Sequence, residues 1–219
     1  MAQLYLVRHA QASFGSDDYD KLSELGHQQS ALLGDYFKAN EVRFDNVIAG
    51  TMLRHKQTAQ GILQSEHEIE ADERWNEFDF QAILSAYLEL NPHEQPKQNG
   101  PRSNFYRILK KAMLAWSENT ITCPQESWSE FVERVGDAAN RVCNGPHKNV
   151  LVVSSGGAIA VYLMQLLGLD VAKAIDLNLQ IKNTSIHHFF FNQQHMQLSS
   201  FNNAPHLAHP ERKHFVTYS

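Results

Sequence analysis

The sequence predicts an α/β fold in three layers, with a mostly parallel sheet flanked by helices. Short apolar runs at residues 4–7 and 149–153 are typical of strands buried on both faces. In the first part of the chain, such runs alternate with segments that have helical spacing, which favours parallel strands joined by right-handed crossovers. We expect a single domain over residues 1–219, with a helical cap inserted at about residues 80–125.

The first third of the chain alternates predicted strands and helices. The helices are recognised by apolar residues that recur at helical spacing, and Ser23 can cap the first of them. The strands are short apolar runs between turn signals, such as Gly50-Thr51. The predicted elements are a strand at 4–7, a helix from the Ser23 cap to about Phe37, a strand at 44–49, a helix over 52–64 and an edge strand at 68–71.

The middle of the chain has a different pattern. From about residue 80 to residue 120 it is helical, with proline and glycine turn signals between the helices, and Ser103 begins a helix with one apolar face. The stretch contains no strand candidate and is too long for a simple loop. We interpret it as a helical insertion over the C-terminal edge of the sheet, either capping a ligand cleft or forming a plain pair of packing helices.

Alternation of helices and strands resumes after residue 126. Ser127 and Glu130 have the spacing of a capping box, which predicts a helix start. The apolar run at 149–153 is the second strong strand, and it ends in two serines and two glycines. The remaining predicted elements are a buried helix over 158–167 that Gly168 ends, and strands at about 185–191 and 195–201.

Composition excludes several classes of protein. The net charge of −5 gives no global basic field of the kind that nucleic-acid-binding proteins carry. No apolar run is long enough to span a membrane, and we expect no signal peptide, because the first strand follows Met1 without a basic segment and a long apolar segment. Cys123, Cys143 and the scattered histidines lack the spacing of metal ligands, so we expect neither a metal nor another cofactor. We therefore expect a cytoplasmic protein without nucleic-acid or membrane partners.

Three predicted strand ends bring polar side chains to one edge of the sheet. The first strand ends in Arg8 and His9, and Arg54 lies in the first turn of the helix after the second strand. The run at 149–153 ends in Ser154, Ser155 and two glycines at a helix N-terminus. Taken alone, Arg8-His9 is also explained as a basic pair at a strand end. Two arginines together with a helix N-terminus describe a phosphate site.

At these positions the chain resembles the histidine phosphatase superfamily, which is phosphoglycerate mutase-like. Residues 6–10 (LVRHA) are similar to its LVRHG signature, with alanine in place of glycine. Residues 53–59 (LRHKQTA) resemble its L-R-x-x-Q-T-A motif, and residues 72–79 (DERWNEFD) resemble its segment with a proton-donating glutamate. Residues 152–157 (VVSSGG) are similar to V-x-S-H-G-G except at one position. The motifs follow the family's order and spacing.

The resemblance implies a catalytic role for four residues. His9 would be the nucleophile that forms a phosphohistidine, with its far nitrogen held by a backbone carbonyl. Arg8 and Arg54 would bind the phosphoryl oxygens and neutralise their developing charge without a metal. Glu77 would protonate the leaving oxygen and then activate water, which requires a raised pKa. The alternative for Glu77 is a solvated carboxylate.

The chain departs from the family pattern at two places. Ser155 stands where the family has a second histidine, and a neutral hydroxyl is a weaker donor to the phosphoryl group, at a cost on the order of 3 kcal/mol. The loop after His9 also differs, and Ser13 is a candidate for a replacement phosphate contact. The backbone of Gly156 is a further predicted phosphate contact. His187 or His188 is an alternative source of an imidazole, although their position inside a predicted strand favours a structural role.

Three functions fit these observations. The first is a metal-independent phosphatase that hydrolyses phosphomonoesters through His9. The second is a degenerate member that binds phosphorylated ligands or partners with little turnover, which Ser155 favours. The third is a phosphoglycerate mutase, against which both the chain length and Ser155 argue.

The sequence leaves the substrate open between a phosphorylated small molecule and a phosphoprotein. We expect the helical insertion to determine the choice. There His93, Lys97 and Arg102 are candidates to meet a second anionic group on the substrate.

Overall fold

The computed structural model describes residues 1–13, 20–64, 68–96 and 102–218, with the backbone alone of Arg102. Within these residues, one sheet contains six strands. They are β1 (Ala2–Arg8), β2 (Asn46–Ala49), β3 (Glu70–Ala71), β4 (Asn149–Ser154), β5 (Ile186–Phe191) and β6 (Met196–Asn203). Their order across the sheet is β3-β2-β4-β1-β5-β6. The predicted α/β architecture with a sheet flanked by helices is confirmed.

All strand pairs of the sheet are parallel except the two that β5 makes. β1 pairs with β4, β4 with β2, and β2 with β3, all in parallel, whereas β5 runs antiparallel to both β1 and β6. In the register of β1 and β4, Arg8 lies opposite Ser154. The ends of these two central strands therefore meet at one edge of the sheet.

Seven α-helices are described. They are α1 (Glu24–Ala39), α2 (Leu53–Leu63), α3 (Phe80–Leu90), α4 (Arg102–Ser117), α5 (Trp128–Asn144), α6 (Gly156–Leu167) and α7 (Val171–Asn178). None of them is both long and apolar enough to cross a membrane.

Local sequence signals explain most helix boundaries. The Ser23 side chain accepts the N–H of Gly26 at the start of α1, and Ser127 and Glu130 form the predicted capping box of α5. Gly168 ends α6 in the left-handed conformation, with φ of 65°. The sequence analysis gave no helix for α7, although Asp170 accepts the N–H of Lys173 at its start. With only eight residues, α7 offers too few turns for a periodic signal.

Two hydrophobic cores lie on opposite faces of the sheet. Alternating residues of β1 separate them: Leu4 and Leu6 pack with α3 to α7, whereas Val7 packs with α1 and α2. Each core closes one face of the sheet with helices, which gives the three predicted layers.

The helical insertion is joined to the larger core by aromatic rings. Trp116 of α4 stacks on Phe131 of α5, with ring centroids 5.7 Å apart, and meets Phe78 at 5.4 Å and Trp128 at 5.2 Å. Aromatic pairs at these distances contribute about 0.5–1.5 kcal/mol each beyond their buried area. The cluster fixes α4 relative to the sheet edge where β1 and β4 end.

Two buried histidines outside that edge are held by structural hydrogen bonds. His187 in β5 accepts the N–H of Asn202 and lies 3.3 Å from the Ser185 hydroxyl, and His206 Nε2 lies 2.9 Å from Thr184 Oγ1. Burial lowers the pKa of His187 to about 3 and that of His206 to about 4. Both are therefore neutral in the folded protein near neutral pH.

These depressed pKa values predict a loss of stability in mild acid. Below about pH 6.5 both imidazoles take up a proton in the unfolded chain but not in the folded one. The free energy of unfolding should then fall with falling pH by about 1.4 kcal/mol per pH unit for each histidine, until the folded-state pKa is reached. Urea denaturation of wild type and His206→Gln between neutral pH and about pH 4 measures this slope. Identical slopes for the two proteins would contradict the assignment.

Candidate active site

His9 follows β1 directly and is almost fully buried. Its backbone N–H donates to the carbonyl of Ser154 at the end of β4, and the Asn183 side chain donates to its carbonyl. The ring Nδ1 lies 2.7 Å from the carbonyl oxygen of Ala10. Since a carbonyl only accepts, the proton is on Nδ1, and Nε2 carries the lone pair.

The surroundings of His9 keep its ring neutral. Burial and the charges of Arg54 and Arg8 lower its pKa well below the usual range. Nε2, the nitrogen that does not face the Ala10 carbonyl, is therefore unprotonated at neutral pH, which suits a nucleophile.

Arg8 reaches across the site from the last position of β1. Its Nη1 donates to the backbone carbonyls of Ile181 and of Tyr218, the latter at 2.8 Å. Residues far apart in the chain thus fix the guanidinium beside His9. The sequence contained no signal for this role of residues 205–218, because carbonyl contacts depend on backbone path and not on side-chain type.

Arg54 lies in the first turn of α2 and is also almost fully buried. Its Nη1 lies 2.6 Å from Asp20 Oδ1, and the other oxygen of Asp20 accepts the N–H of Leu53. Four residues on, the hydroxyl of Thr58 donates to the carbonyl of Arg54 and accepts the N–H of Ala10. The motif of α2 therefore ties this arginine to the end of β1.

Glu77 closes the site on the side of α6. Its Oε2 accepts the N–H of Gly157 at 3.0 Å, and its Oε1 accepts the N–H of Phe78 at 3.3 Å. Burial raises the pKa of the carboxyl, against the opposing effects of these N–H groups and of the two arginines. A carboxyl that keeps its proton to higher pH suits a proton donor.

The two glycines at the start of α6 make room for neighbouring side chains. A Cβ on Gly156 would lie 2.5 Å from Asn178 Oδ1 and 3.6 Å from Cζ of Arg8, and a Cβ on Gly157 would lie 2.1 Å from Glu77 Oε1. The helix N-terminus therefore lies directly against the groups that surround His9.

Ser155 is fully buried at the N-cap of α6, and its hydroxyl lies 2.7 Å from Nε2 of His55. His55 is the residue after Arg54, and its ring centroid lies 5.5 Å from that of His9. The sequence analysis quoted His55 within the second motif without a role. A histidine beside a motif arginine, in a chain lacking an imidazole at position 155, was the available signal.

A family model supports these geometric observations. The model of the histidine phosphatase superfamily (branch 1) matches residues 4–204. The chain belongs to this superfamily.

Individual relatives agree with the family assignment. The chain is 28% identical over 185 residues to "Putative phosphoserine phosphatase 2" of Hydrogenobacter thermophilus, covering 78% of this chain and 81% of the relative. Its fold is similar to that of phosphoserine phosphatase from Entamoeba histolytica (TM-score 0.64, 23% identity, 94% and 100% of the two chains covered). It is also similar to phosphoglycerate mutase from Bacillus anthracis (TM-score 0.67, 18% identity, 94% of each chain).

The structure brings together most residues predicted from the histidine phosphatase motifs. Arg8, His9, Arg54 and Glu77 line one cleft. Ser155 and Gly156 are buried at the start of α6 and are not among the described lining residues, although a Cβ on Gly156 would lie 3.6 Å from Cζ of Arg8. Ser13 is half-buried with its N–H bonded to the Lys21 carbonyl, and it is not among the described lining residues. Its phosphate contact stays a prediction.

The structure does not place the candidate residues for a second anionic group among the described residues that line the cleft. His93 is exposed and is not among the described residues that line the cleft, whereas Lys97 and the side chain of Arg102 lie outside the described part of the structure. His187 and His188 are bonded within the sheet region, His188 to Gln3 at 2.9 Å, and they too are absent from the described lining.

The helical insertion contributes an apolar wall to this cleft. Phe80 of α3 and Phe105, Tyr106 and Leu109 of α4 line it, so the insertion borders the cleft. Asn178 of α7 and Tyr218 are also among the described lining residues, and the sequence analysis had assigned a role to neither. Their positions depend on packing between distant elements.

The contact between Gly157 and Glu77 predicts a steric effect. Gly157→Ala would place its methyl group 2.1 Å from Glu77 Oε1 and 2.6 Å from the buried Phe78 ring. We therefore expect the free energy of unfolding, measured by urea denaturation, to fall by about 1–3 kcal/mol. The matched control is Gly136→Ala in α5, where the nearest atom belongs to the flexible end of Gln165. That change should be neutral or stabilising by up to about 1 kcal/mol. Equal effects of both changes would contradict this description.

Proposed function

We propose that this protein is a metal-independent phosphatase that hydrolyses phosphomonoesters through a phosphohistidine at His9. Membership of the superfamily and the phosphatase names of relatives support a phosphoric monoester hydrolase. The observation that carries the finer proposal is the hydrogen bond from His9 Nδ1 to the Ala10 carbonyl in a buried site, because it leaves Nε2 unprotonated.

In the first step, Nε2 of His9 attacks phosphorus as the bond from phosphorus to the ester oxygen breaks. The leaving oxygen takes a proton from Glu77, and the alcohol departs. In the second step, water gives a proton to the Glu77 carboxylate and attacks phosphorus, and the phosphorus–nitrogen bond breaks. Inorganic phosphate leaves, with His9 neutral and Glu77 protonated as at the start.

Positive charge for these steps comes from the chain itself. Arg8 and Arg54 lie beside His9, and the N-terminus of α6 adds its dipole. Such groups stabilise the charge that spreads over the phosphoryl oxygens in the transition state. Glu77 lies across the site with a raised pKa, which suits it to protonate an oxygen.

The apolar wall bears on the choice of substrate. Around the mouth of the cleft, the described residues of α3 and α4 present the aromatic rings of Phe80, Phe105 and Tyr106. A hydrophobic leaving group would bury its surface against these rings, with a gain of about 25 cal/mol per Å². We therefore choose aryl phosphates as the first substrates.

The proposal predicts hydrolysis of p-nitrophenyl phosphate and phosphotyrosine that survives a chelator. His9→Ala should lower kcat below detection, since no other described group replaces the nucleophile. Rapid acid-free quenching of the wild type should trap a phosphoenzyme that is labile in acid and stable in base. His206→Ala is the control, because it removes a buried histidine that is not among the described lining residues of the cleft, and it should keep the activity of the wild type. If the wild type is no faster than His9→Ala, the chain is a phosphate-binding member of the family without turnover.

The role of Glu77 predicts an effect that depends on the leaving group. Glu77→Gln removes the transferable proton, so the rate of phosphoenzyme formation, followed as release of the alcohol in a single turnover, should fall by about 10²–10⁴-fold for an alkyl phosphate and much less for p-nitrophenyl phosphate. In the wild type, activity on alkyl phosphates should fall as pH rises through the raised pKa of Glu77, because the carboxyl then loses its proton. This limb should vanish in Glu77→Gln. An equal loss for both leaving groups would exclude Glu77 as the proton donor.

A further inference from the structure

His55 and Ser155 form a buried pair that the steps above do not use. Both side chains are fully buried, and Nε2 of His55 lies 2.7 Å from Oγ of Ser155. His55 comes from the first turn of α2 beside Arg54, whereas Ser155 is the N-cap of α6. The pair therefore bridges the two helices whose N-terminal ends border the phosphate site.

The pair lies among the residues proposed to act on phosphate. The His55 ring packs against the ring of His9, with ring centroids 5.5 Å apart and an angle of 38° between the ring planes. On the chain, Ser155 stands between Ser154, whose carbonyl accepts the N–H of His9, and the glycine pair whose second N–H binds Glu77. The residues on either side of Ser155 thus bond to His9 and to Glu77 through their backbone.

The hydrogen-bond partners indicate where the proton of His55 lies. Nδ1 is buried with no hydrogen-bond partner among the described residues, whereas Nε2 has the hydroxyl of Ser155. Burying an N–H without an acceptor is costly, so the proton of the neutral ring belongs on Nε2. Oγ of Ser155 then accepts from His55, and its own hydrogen is directed away from the ring.

Gly50 provides the space for this imidazole. It follows β2 directly, and a Cβ at this position would lie 2.1 Å from Nδ1 of His55. Asn76 Oδ1, which accepts the N–H of Thr51, would lie 2.7 Å from the same Cβ. Any larger residue at position 50 would displace the ring, so Gly50, His55 and Ser155 form one packed unit.

We propose that His55 is a positioning residue that holds the Ser155 hydroxyl as a hydrogen-bond donor to the phosphoryl group. Two elements then do together what the resemblance assigns to one histidine after β4: α2 supplies the imidazole and α6 supplies the donor. This inference rests on the proposed function, because it assumes that phosphate binds between His9 and the N-terminus of α6.

The pair is tested by four variants: His55→Ala, Ser155→Ala, the double alanine variant and His55→Gln. We expect each single alanine change to lower kcat by about 10–100-fold, because one change removes the residue that positions the donor and the other removes the donor itself. The double variant should be no slower than the slower single variant, because each change alone already removes the hydrogen bond from the positioned Ser155 hydroxyl to the phosphoryl group. His55→Gln should retain most activity, since its amide can still donate to Ser155.

The matched control is His206→Ala. His206 is also buried, its Nε2 also lies beside a hydroxyl, and its Nδ1 also lacks a partner among the described residues. Its removal should cost stability as His55→Ala does while leaving kcat unchanged. If His55→Ala lowers kcat no more than His206→Ala, or if the two alanine changes multiply, His55 does not act through Ser155.

Moving the imidazole gives the sharpest outcome. Ser155→His alone should lower activity, because the His55 ring already fills the space beside position 155. In the His55→Ala background, the same change should restore most of the lost kcat, since one imidazole then occupies that space from α6. Failure to restore activity in a folded double variant would contradict a shared role.

Binding of inorganic phosphate separates this inference from the proposed function. Calorimetric titration should show affinity about tenfold weaker in His55→Ala than in wild type or His206→Ala. An absence of turnover in the wild type would refute the phosphatase proposal, while this difference in phosphate affinity would still support the pair. Equal affinities in all three proteins would overturn the inference.

Discussion

The parallel pairing of β1 with β4 determines the geometry of the whole site. Its register places Arg8 opposite Ser154, and the hydrogen bond from the His9 N–H to the Ser154 carbonyl extends the pairing by one residue beyond the strands. Because both strands end there, His9 and the N-terminus of α6 are brought side by side. A shift of one residue would turn every side chain of β1 to the opposite face and exchange the residues of the two cores.

Burial shifts the pKa values of His9 and Glu77 in opposite directions, and both shifts suit the roles proposed for them. It disfavours the charged form of each group, so the pKa of His9 falls and that of Glu77 rises. These shifts favour an unprotonated His9 ring and a Glu77 carboxyl that keeps its proton to higher pH, as the proposed roles require. The arginines complete the arrangement, and Asp20 binds both the buried Arg54 guanidinium and the N–H of Leu53 at the start of α2. The same desolvation destabilises the fold.

Sequence patterns predicted the elements whose signals are local. The strands at β1 and β4, the caps at Ser23 and Ser127 and the edge where polar residues gather are all readable from apolar runs and side-chain type. Contacts between distant segments were not predictable in this way. The carbonyl of Tyr218 on Arg8 and the hydroxyl of Ser155 beside His55 depend on the path of the folded chain. His55 illustrates the limit, because its motif position was known while its partner was not.

The attachment of Arg8 to the chain's last described residues has a consequence for the order of biosynthesis. Arg8 is made 210 residues before Tyr218, whose carbonyl is one of its partners, and the Gln29 side chain donates to Phe215 and Thr217 at a similar separation along the chain. On the ribosome, β1 must therefore leave the tunnel long before the site can close around it. The cleft that Arg8 and Tyr218 both line therefore cannot take its described form until residue 218 has left the tunnel.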